Sequence, residues 1–247
     1  MYQFTKNLLK KIVPQKFLFE NELFFRKFLI PFYSGKNYQC NICEKQWKKF
    51  VDYPGDLLCP YCGSRSRTRR LFKILKEKNA LRGNVLHFSP SRSLYRVYKK
   101  EKNFDYFATD FEAEFLADYK IDITAIDFPD EKFDTILCYH ILEHIIEDEK
   151  AMAELFRVLK KDGLCFVQTP YKAGEIYEDY SITDEKEREK AFGQWDHVRV
   201  YSLEGLKKRL EKAGFQVNIL NFEENMKPFG LLKETVLELK KQTLVNN

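Results

Sequence analysis

The sequence contains no long uncharged run. Of its 247 residues 32% are charged, and a stretch such as 163–171 reaches only about ten residues, whereas a membrane-spanning helix needs about 20. The first thirty residues also lack an apolar core followed by small residues, so no secretory signal is expected. Glycine and proline are few, at 10 and 8, and 44% of the residues are hydrophobic, which excludes collagen-like, coiled-coil and disordered chains. We therefore expect a globular, cytoplasmic protein of one or two domains that folds without disulfides.

Charge is unevenly distributed along the chain. Residues 1–79 contain 17 Lys and Arg against 6 Asp and Glu, whereas the remainder contains 25 basic and 31 acidic residues. This asymmetry predicts two parts with different roles. The basic part could meet an anionic partner, which leaves nucleic acid, an acidic membrane surface and a phosphate-bearing substrate open.

Four of the six cysteines form two pairs, Cys40-x-x-Cys43 and Cys59-x-x-Cys62, with 15 residues between the pairs. This spacing is typical of zinc sites. Four thiolates complete a tetrahedron around Zn(II) and leave no position for water, so we predict a structural zinc ion rather than a catalytic one. Buried free cysteines, two disulfides and a redox pair are the alternatives. Cys138 and Cys165 lie in apolar runs and are predicted to be core residues.

The first 35 residues form a basic segment rich in Phe and Leu, which Pro14 and Pro31 divide into two helical pieces. Such a stripe usually packs on its own domain or on a second subunit, although peripheral membrane contact is the alternative. We predict three parts: this amphipathic segment (1–35), a zinc ribbon (36–66) and a larger domain (67–247). The oligomeric state is left open.

A run of arginines directly follows the second cysteine pair. One interpretation is a patch that contacts phosphates and would bind nucleic acid. The other interpretation is the solvated face of a helix that starts near Ser66, and we favour this second interpretation. The four arginines are Arg65, Arg67, Arg69 and Arg70.

From residue 84 onward, apolar strands alternate with amphipathic helices. This order predicts an α/β fold with a Rossmann-like, mostly parallel, seven-stranded sheet and helices on both faces. We expect a short third strand over 120–124, a turn at 161–163, and a helix over 91–100 capped by Ser89. The remaining strands are predicted at 84–88, 104–109, 133–139, 164–169, 215–220 and 234–240, with helices at 148–159 and 203–213.

Ligands of parallel sheets bind beyond the carboxyl ends of the strands, which makes the residues there informative. Asp110 ends the second strand, 20 residues after Pro90, and a carboxylate there can accept hydrogen bonds from both hydroxyls of a ribose. Asp122, followed by an apolar residue, could flank a purine. Loop or helix capping is the alternative role for either aspartate.

Two segments resemble class I S-adenosylmethionine-dependent methyltransferases of the type 11-like branch, whose members can carry an N-terminal zinc ribbon. They are Phe133-Asp134 through Leu142-Glu143-His144 to Arg157-Val-Leu and Gly163, and the later Trp195-Asp-His197-Val-Arg199. The resemblance implies S-adenosylmethionine as cofactor. It also implies the following contacts: Phe88, Ser89 and Pro90 with the methionine part, Asp110 with the ribose, Asp122 and Ile123 with the adenine, and Tyr139 and His140 near the sulfonium.

The first loop departs from the family pattern. The family has an acid followed by G-x-G-x-G, whereas residues 87–91 here read HFSPS, with no glycine. Dinucleotide sites need glycine so that backbone can approach a pyrophosphate, which argues against NAD or FAD. S-adenosylmethionine has no pyrophosphate, so we predict a modified methyltransferase loop.

The string His140-x-x-Glu143-His144 also matches inverted zinc peptidases. That chemistry needs both histidines on one helix, whereas His140 is expected at a strand end, so we reject it. Glu143 and His144 are predicted to tie the chain to neighbouring loops.

An acceptor hydroxyl must lose a proton during methyl transfer, and His197 or His140 could act as the base. A structural tie to Asp196 or Arg199 is the alternative for His197. The resemblance implies a small-molecule or glycan acceptor, such as a sugar hydroxyl of a surface-glycan precursor. The alternative function is a zinc-ribbon nucleic-acid-binding protein or RNA methyltransferase with a degenerate cofactor loop.

Overall fold

A computed structural model of the chain describes residues 17, 19, 21–111 and 116–241. These residues divide into two compact units, of which the first is discontinuous in sequence. It comprises the described residues up to Lys73 together with Glu224–Leu232, and the second comprises Ile74–Glu223 and the described residues after Leu232. In these ranges no helix has the length and apolar character that crossing a membrane requires.

The first unit is built from short elements and two antiparallel pairs, β1 with β2 and β3 with β4. Short strands of this kind bury little apolar surface, so other interactions must hold the unit together. The elements are α1 (Glu22–Lys27), α2 (Ile30–Tyr33), β1 (Ser34–Gln39), β2 (Gln46–Trp47), β3 (Val51–Tyr53), β4 (Asp56–Leu58), the start of α3 (Ser66–Glu77) and a 3-10 turn at Lys227–Phe229.

The fully buried guanidinium of Arg69 makes several of those interactions. It donates hydrogen bonds to the carbonyl oxygens of Phe229 and Gly230, both at 2.8 Å, and of Leu57 at 3.0 Å. The ring of Phe50 lies below it, 4.0 Å from the guanidinium carbon to the ring centroid. A buried charge is tolerated only when it is fully hydrogen-bonded. Arg69 meets this condition with acceptors from separate segments of the chain, and it thereby joins three segments of this unit.

The amphipathic segment is only partly covered. The rings of Phe24, Phe28 and Phe32 are exposed, while Phe25 is half-buried. The described part of the chain does not cover these three rings, so packing on a second subunit stays a prediction for them. Most of the predicted first helical piece lies outside the described residues.

The second unit contains a six-stranded sheet in the order β11-β12-β8-β7-β5-β6. Strands β6, β5, β7 and β8 are mutually parallel, and β12 is antiparallel to both of its neighbours. The predicted Rossmann-like, mostly parallel fold is confirmed. The elements are β5 (Gly83–Phe88), α4 (Arg92–Tyr98), β6 (Phe104–Thr109), β7 (Phe133–Tyr139), a 3-10 turn at Leu142–His144, α5 (Asp148–Val158), β8 (Leu159–Gln168), β9 (Tyr177–Glu178), α6 (Glu185–Phe192), β10 (Arg199–Val200), α7 (Leu203–Lys212), β11 (Phe215–Phe222) and β12 (Glu234–Lys241).

The core of this unit lies between the sheet and helices α5 and α7. Met152 and Leu155 of α5 and Leu206 of α7 are completely buried against Ile136 of β7 and Cys165 of β8. Neighbouring strand residues are buried as well, which explains why these strands are uniformly apolar in sequence. Cys138 and Cys165 are core residues, as predicted.

Two local predictions are wrong. The third strand, predicted over 120–124, is reduced to one parallel bridge between Thr109 and Tyr119, because the Asp122 carboxylate accepts hydrogen bonds from both the amide and hydroxyl of Thr124 and closes a turn. The sheet therefore has six strands in the described part of the chain rather than seven. The turn predicted at 161–163 lies within β8, where a register shift against β7 accommodates the extra residues as a bulge.

Candidate functional site

The parallel strands β5, β6, β7 and β8 end at the same edge of the sheet. Their last residues are Phe88, Thr109, Tyr139 and Gln168, and the predicted site residues follow three of these ends directly. Ligands of open α/β sheets bind at this edge, since loops diverge there and leave a crevice.

The loop after β5 contains serine and proline but no glycine. Ser89 has a left-handed backbone, with φ of 43°, and its amide donates a hydrogen bond to Thr109 O at 2.7 Å. Its hydroxyl donates to Asp110 Oδ1, also at 2.7 Å. The cap of α4 is Ser91, which accepts from the Leu94 amide, so the predicted cap at Ser89 is wrong. Ser89 instead joins the ends of β5 and β6.

Asp110 and Ser89 thus form a hydrogen-bonded pair at the edge, and Asp110, the residue predicted to contact the ribose, is 6% exposed. Asp122 is exposed, and its Oδ1 is engaged by Thr124. The side chain of Ile123 is buried in the core. Only the backbone of Ile123 is therefore available to a ligand.

His140 follows β7 directly and also has a left-handed backbone, with φ of 57°. Its amide donates to Gln168 O at 2.8 Å, which joins the ends of β7 and β8. Its Nδ1 lies 3.1 Å from Glu143 Oε1. The position at a strand end confirms that this string is not the helical motif of a peptidase.

Glu143, His144 and His197 come together beside His140. Each offers one ligand atom, and these atoms all lie within 4.8 Å of one another. The rings of His144 and His197 meet edge to face, with centroids 4.7 Å apart. The amide of Val198 donates to Glu143 O at 3.0 Å, and this bond draws the later segment onto the 3-10 turn.

The protonation of this cluster follows from its burial and charges. Burial would raise the pKa of Glu143, but the hydrogen bond with His140 and the nearby histidines outweigh it and lower that pKa. Burial lowers the pKa of His197, and His144 adds to the effect. At neutral pH we therefore expect an ionised Glu143 beside a neutral His197.

Arg199 positions the turn that carries Glu143 and His144. Its fully buried guanidinium donates to Leu142 O at 3.1 Å, to Ile145 O and to Ile146 O at 2.9 Å. It also pairs with Glu178 at 2.9 Å. One side chain thus satisfies three carbonyl groups of an irregular segment that has no strand partner.

Several buried polar atoms at this edge have no hydrogen-bond partner among the described residues. They are Glu143 Oε2, Gln168 Oε1, Thr169 Oγ1 and Tyr171 Oη. Buried polar atoms are nearly always paired, and unpaired ones require an explanation. Their concentration near the ends of β7 and β8 is typical of a site built to receive a polar ligand.

The four paired cysteines meet in the first unit. The Sγ atoms of Cys40 and Cys62 are 3.6 Å apart, and those of Cys43 and Cys59 are 3.8 Å apart, with no disulfide among them. Ser64 lies beside them, its Oγ 3.4 Å from Cys40 Sγ and 3.2 Å from Cys62 Sγ.

Arg69 Nη1 donates to that same Ser64 Oγ at 3.3 Å, which brings a positive charge close to the sulfurs. Hydrogen bonds, first that with Cys43, lower the pKa of Cys40, while the hydrogen bond with Cys40 raises the pKa of Cys62.

The arginine run does not form a continuous surface patch. Arg69 and Arg70 are both buried, and Arg70 donates to Leu232 O at 2.6 Å. Arg65 stacks on the ring of Tyr53, with the guanidinium carbon 4.7 Å from the centroid. The interpretation as a wholly solvated helix face is therefore also wrong for two of the four residues.

Comparison with known families identifies most of the chain. The family described as "Methyltransferase domain" matches residues 59–218, about two thirds of the chain. The chain belongs to this methyltransferase family. The predicted class of S-adenosylmethionine-dependent methyltransferases is thereby confirmed. No curated protein matches the sequence.

Solved structures show the same fold at low identity. The [4+2]-cyclase SpnF is 15% identical, with a TM-score of 0.50 over 71% of this chain and 82% of that one. A methyltransferase from Archaeoglobus fulgidus is 18% identical, with a TM-score of 0.49 over 70% and 91%. The 1,6-didemethyltoxoflavin N1-methyltransferase of Burkholderia thailandensis, solved with S-adenosylhomocysteine, is 17% identical, with a TM-score of 0.49 over 70% and 77%.

Sequence reasoning about this methyltransferase missed three contributors to the site. Glu143 and His144 were expected only to tie loops together, and Arg199 was considered only as a partner of His197. The string His140-x-x-Glu143-His144 is a signal for metal binding, but nothing in the sequence indicates that His197 approaches it.

Proposed function

We propose that this methyltransferase transfers the methyl group of S-adenosylmethionine to an acceptor hydroxyl at the carboxyl edge of its sheet. The observation that carries the proposal is the Ser89–Asp110 pair at the ends of β5 and β6, within the fold of the family. A carboxylate whose Oδ1 is fixed by Ser89 is preorganised to accept hydrogen bonds from two ribose hydroxyls.

The other cofactor contacts follow from the same edge. Phe88, Ser89 and Pro90 are the proposed contacts of the methionine part. Asp122 and the backbone of Ile123 are the proposed contacts of the adenine. Tyr139 and His140 are the proposed contacts near the sulfonium, and the pairing of β7 with β5 supports this.

The bound donor supplies a methyl group activated by positively charged sulfur. The acceptor oxygen would form a bond to the methyl carbon while the carbon–sulfur bond breaks. The electron pair of the carbon–sulfur bond would stay on sulfur. His140 is the proposed base for the hydroxyl proton, because its Nδ1 is held by Glu143 at 3.1 Å and the ring is thereby oriented. His197 is the second candidate, although it is more deeply buried. An oriented base at this position favours an acceptor that must lose a proton, such as a hydroxyl. A sugar hydroxyl on a small molecule or glycan is our proposed class of acceptor.

A structural zinc ion in the first unit is part of the proposal. Zinc–sulfur bonds of about 2.3 Å in a tetrahedron place sulfurs about 3.8 Å apart. The observed separations of 3.6 and 3.8 Å fit that geometry. Four cysteines fill the coordination sphere, so Cys40, Cys43, Cys59 and Cys62 would stabilise the fold of the unit rather than activate water.

Calorimetric titration with S-adenosylhomocysteine tests the cofactor site. We expect binding in the micromolar range that Asp110→Ala abolishes. Asp105→Ala is the matched control, because Asp105 is an exposed aspartate on the same strand, away from the carboxyl edge, and it should bind normally. No binding to the wild-type protein, or equal binding by Asp110→Ala, would refute the proposed site.

A further inference from the structure

Glu143, His144 and His197 form a cluster that none of the proposed cofactor contacts uses. We propose that these three side chains bind one divalent first-row transition-metal ion, and that this ion holds the acceptor oxygen. The metal site stands on its own observations, whereas its role toward the acceptor rests on the proposed function.

The carboxylate is the first argument. Glu143 is 1% exposed, its Oε1 is engaged by His140, and its Oε2 has no partner among the described residues. An ionised oxygen that is buried and unpaired is strongly unfavourable, so a cationic partner is expected at Oε2. A metal ion supplies that partner.

The two histidines are oriented as metal ligands usually are. Nδ1 of His144 lies 3.1 Å from Asp196 Oδ2, and Nδ1 of His197 lies 3.4 Å from the carbonyl oxygen of Phe192. Metal-binding histidines commonly donate one ring N–H to a carboxylate or carbonyl, which leaves the other nitrogen with a free lone pair. With Nδ1 engaged in this way, we infer that each ring offers its Nε2 to the ion.

The geometry and donor set identify the class of ion. Bonds of about 2.1 Å place neighbouring ligand atoms roughly 3 to 4 Å apart, so the three atoms, now within 4.8 Å, need to close by only about 1 Å. Two imidazoles with one carboxylate favour Mn, Fe, Co or Zn over Mg and Ca. Three protein ligands leave coordination positions open, unlike the cysteine quartet.

The coordination positions that the protein leaves open determine what the ion would do. An ion at the end of β7 can bind the acceptor hydroxyl and favour loss of its proton, as metals do for bound water. The proton passes to His140, and the oxygen then displaces sulfur at the methyl carbon. The ion is neither oxidised nor reduced in this step.

Manganese is the best probe, because Mn²⁺ binds poorly to thiolates and reports on the histidine cluster alone. The zinc-loaded protein, dialysed free of excess metal, is titrated with Mn²⁺ while the free ion is followed by electron paramagnetic resonance. We expect one Mn²⁺ per chain with a micromolar dissociation constant. Glu143→Gln and His197→Gln should each weaken binding at least 100-fold, and Asp196→Asn should weaken it 10- to 100-fold as a positioning residue.

His87→Gln is the control, since His87 is the one histidine of the chain outside the group of His140, His144 and His197, and it is bonded to Tyr106 instead. His144→Gln, on a less buried ligand, replaces either buried variant if circular dichroism shows that it does not fold. Absence of Mn²⁺ binding at 1 mM, or unchanged binding in the ligand variants, overturns the proposal.

Titration with S-adenosylhomocysteine in chelator separates the two proposals. Cofactor binding without Mn²⁺ binding refutes the metal site alone. Mn²⁺ binding without cofactor binding supports the metal site and refutes the proposed function.

Discussion

Acidification should destabilise this protein through His87, whose side chain is fully buried in β5 next to the cofactor loop. Burial lowers the pKa of His87 from 6.5 to about 3, and its Nδ1 lies 2.9 Å from Tyr106 Oη. The unfolded chain binds a proton below pH 6.5 that the folded chain refuses down to about pH 3. The contribution of the neutral, buried His87 to stability is therefore fully present above the pKa that this group has in the unfolded chain, and it is lost as the pH falls below that value.

The size of the effect follows from linkage. Each pH unit below 6.5 removes about 1.4 kcal/mol, so a change from pH 7.5 to pH 4.5 removes about 2 to 3 kcal/mol. That is a large share of the total stability of about 5 to 15 kcal/mol that proteins of ordinary size have.

Urea unfolding at both pH values, for wild type and His87→Gln, measures this contribution. Both proteins lose stability from other groups and from any zinc released in acid, but these losses cancel in the difference between them. We expect the variant to lose about 2 to 3 kcal/mol less than wild type over this interval. An equal loss in both proteins would refute the assignment of a neutral, buried His87.

Three further predictions concern other parts of the chain. Thiol titration of the native protein should detect four reactive cysteines only after zinc is chelated, while Cys138 and Cys165, whose pKa values burial raises, should react only on unfolding; six reactive thiols before chelation would contradict this. Arg199→Ala should lower the free energy of unfolding by about 3 to 5 kcal/mol, because it leaves the buried carbonyl oxygens of Leu142 and Ile146 without their donor, and a loss below 1 kcal/mol in urea unfolding would argue against that role. Gly83→Ala should cost about 1 to 3 kcal/mol in the same assay, since φ is 56° and a Cβ would lie 2.1 Å from Asp134 Oδ2; an unchanged midpoint would contradict it.

The elements that the sequence predicts well are those determined by local pattern. Strands β6 and β7 have the predicted bounds, because each is a short apolar run that ends at polar residues. The segment 120–124 has a similar composition, but the Asp122 side chain competes with strand pairing for the backbone and closes a turn. Local hydrogen bonding of this kind is difficult to infer from periodicity.

The site was predictable only in part, for a different physical reason. Asp110 and His140 follow strands, so their places at the carboxyl edge can be derived from topology. The approach of His197 to His144 depends on a loop whose path is determined by Arg199 and its bonds to backbone carbonyl oxygens. Every residue carries the same backbone carbonyl acceptor, so no sequence pattern indicates to which carbonyl oxygens an arginine will donate.

The order of synthesis has a consequence for the cysteine-containing unit. Arg69 finds two of its acceptors, at Phe229 and Gly230, only 160 and 161 positions later in the chain. At about 5 to 20 residues per second, a ribosome needs roughly 10 to 30 s to make that stretch. Throughout this interval the nascent unit can gather its thiolates around a metal, yet its guanidinium must remain hydrated. Ribosome-bound chains that stop before residue 224 should therefore expose Arg69 to trypsin, and release of the full-length polypeptide should protect it.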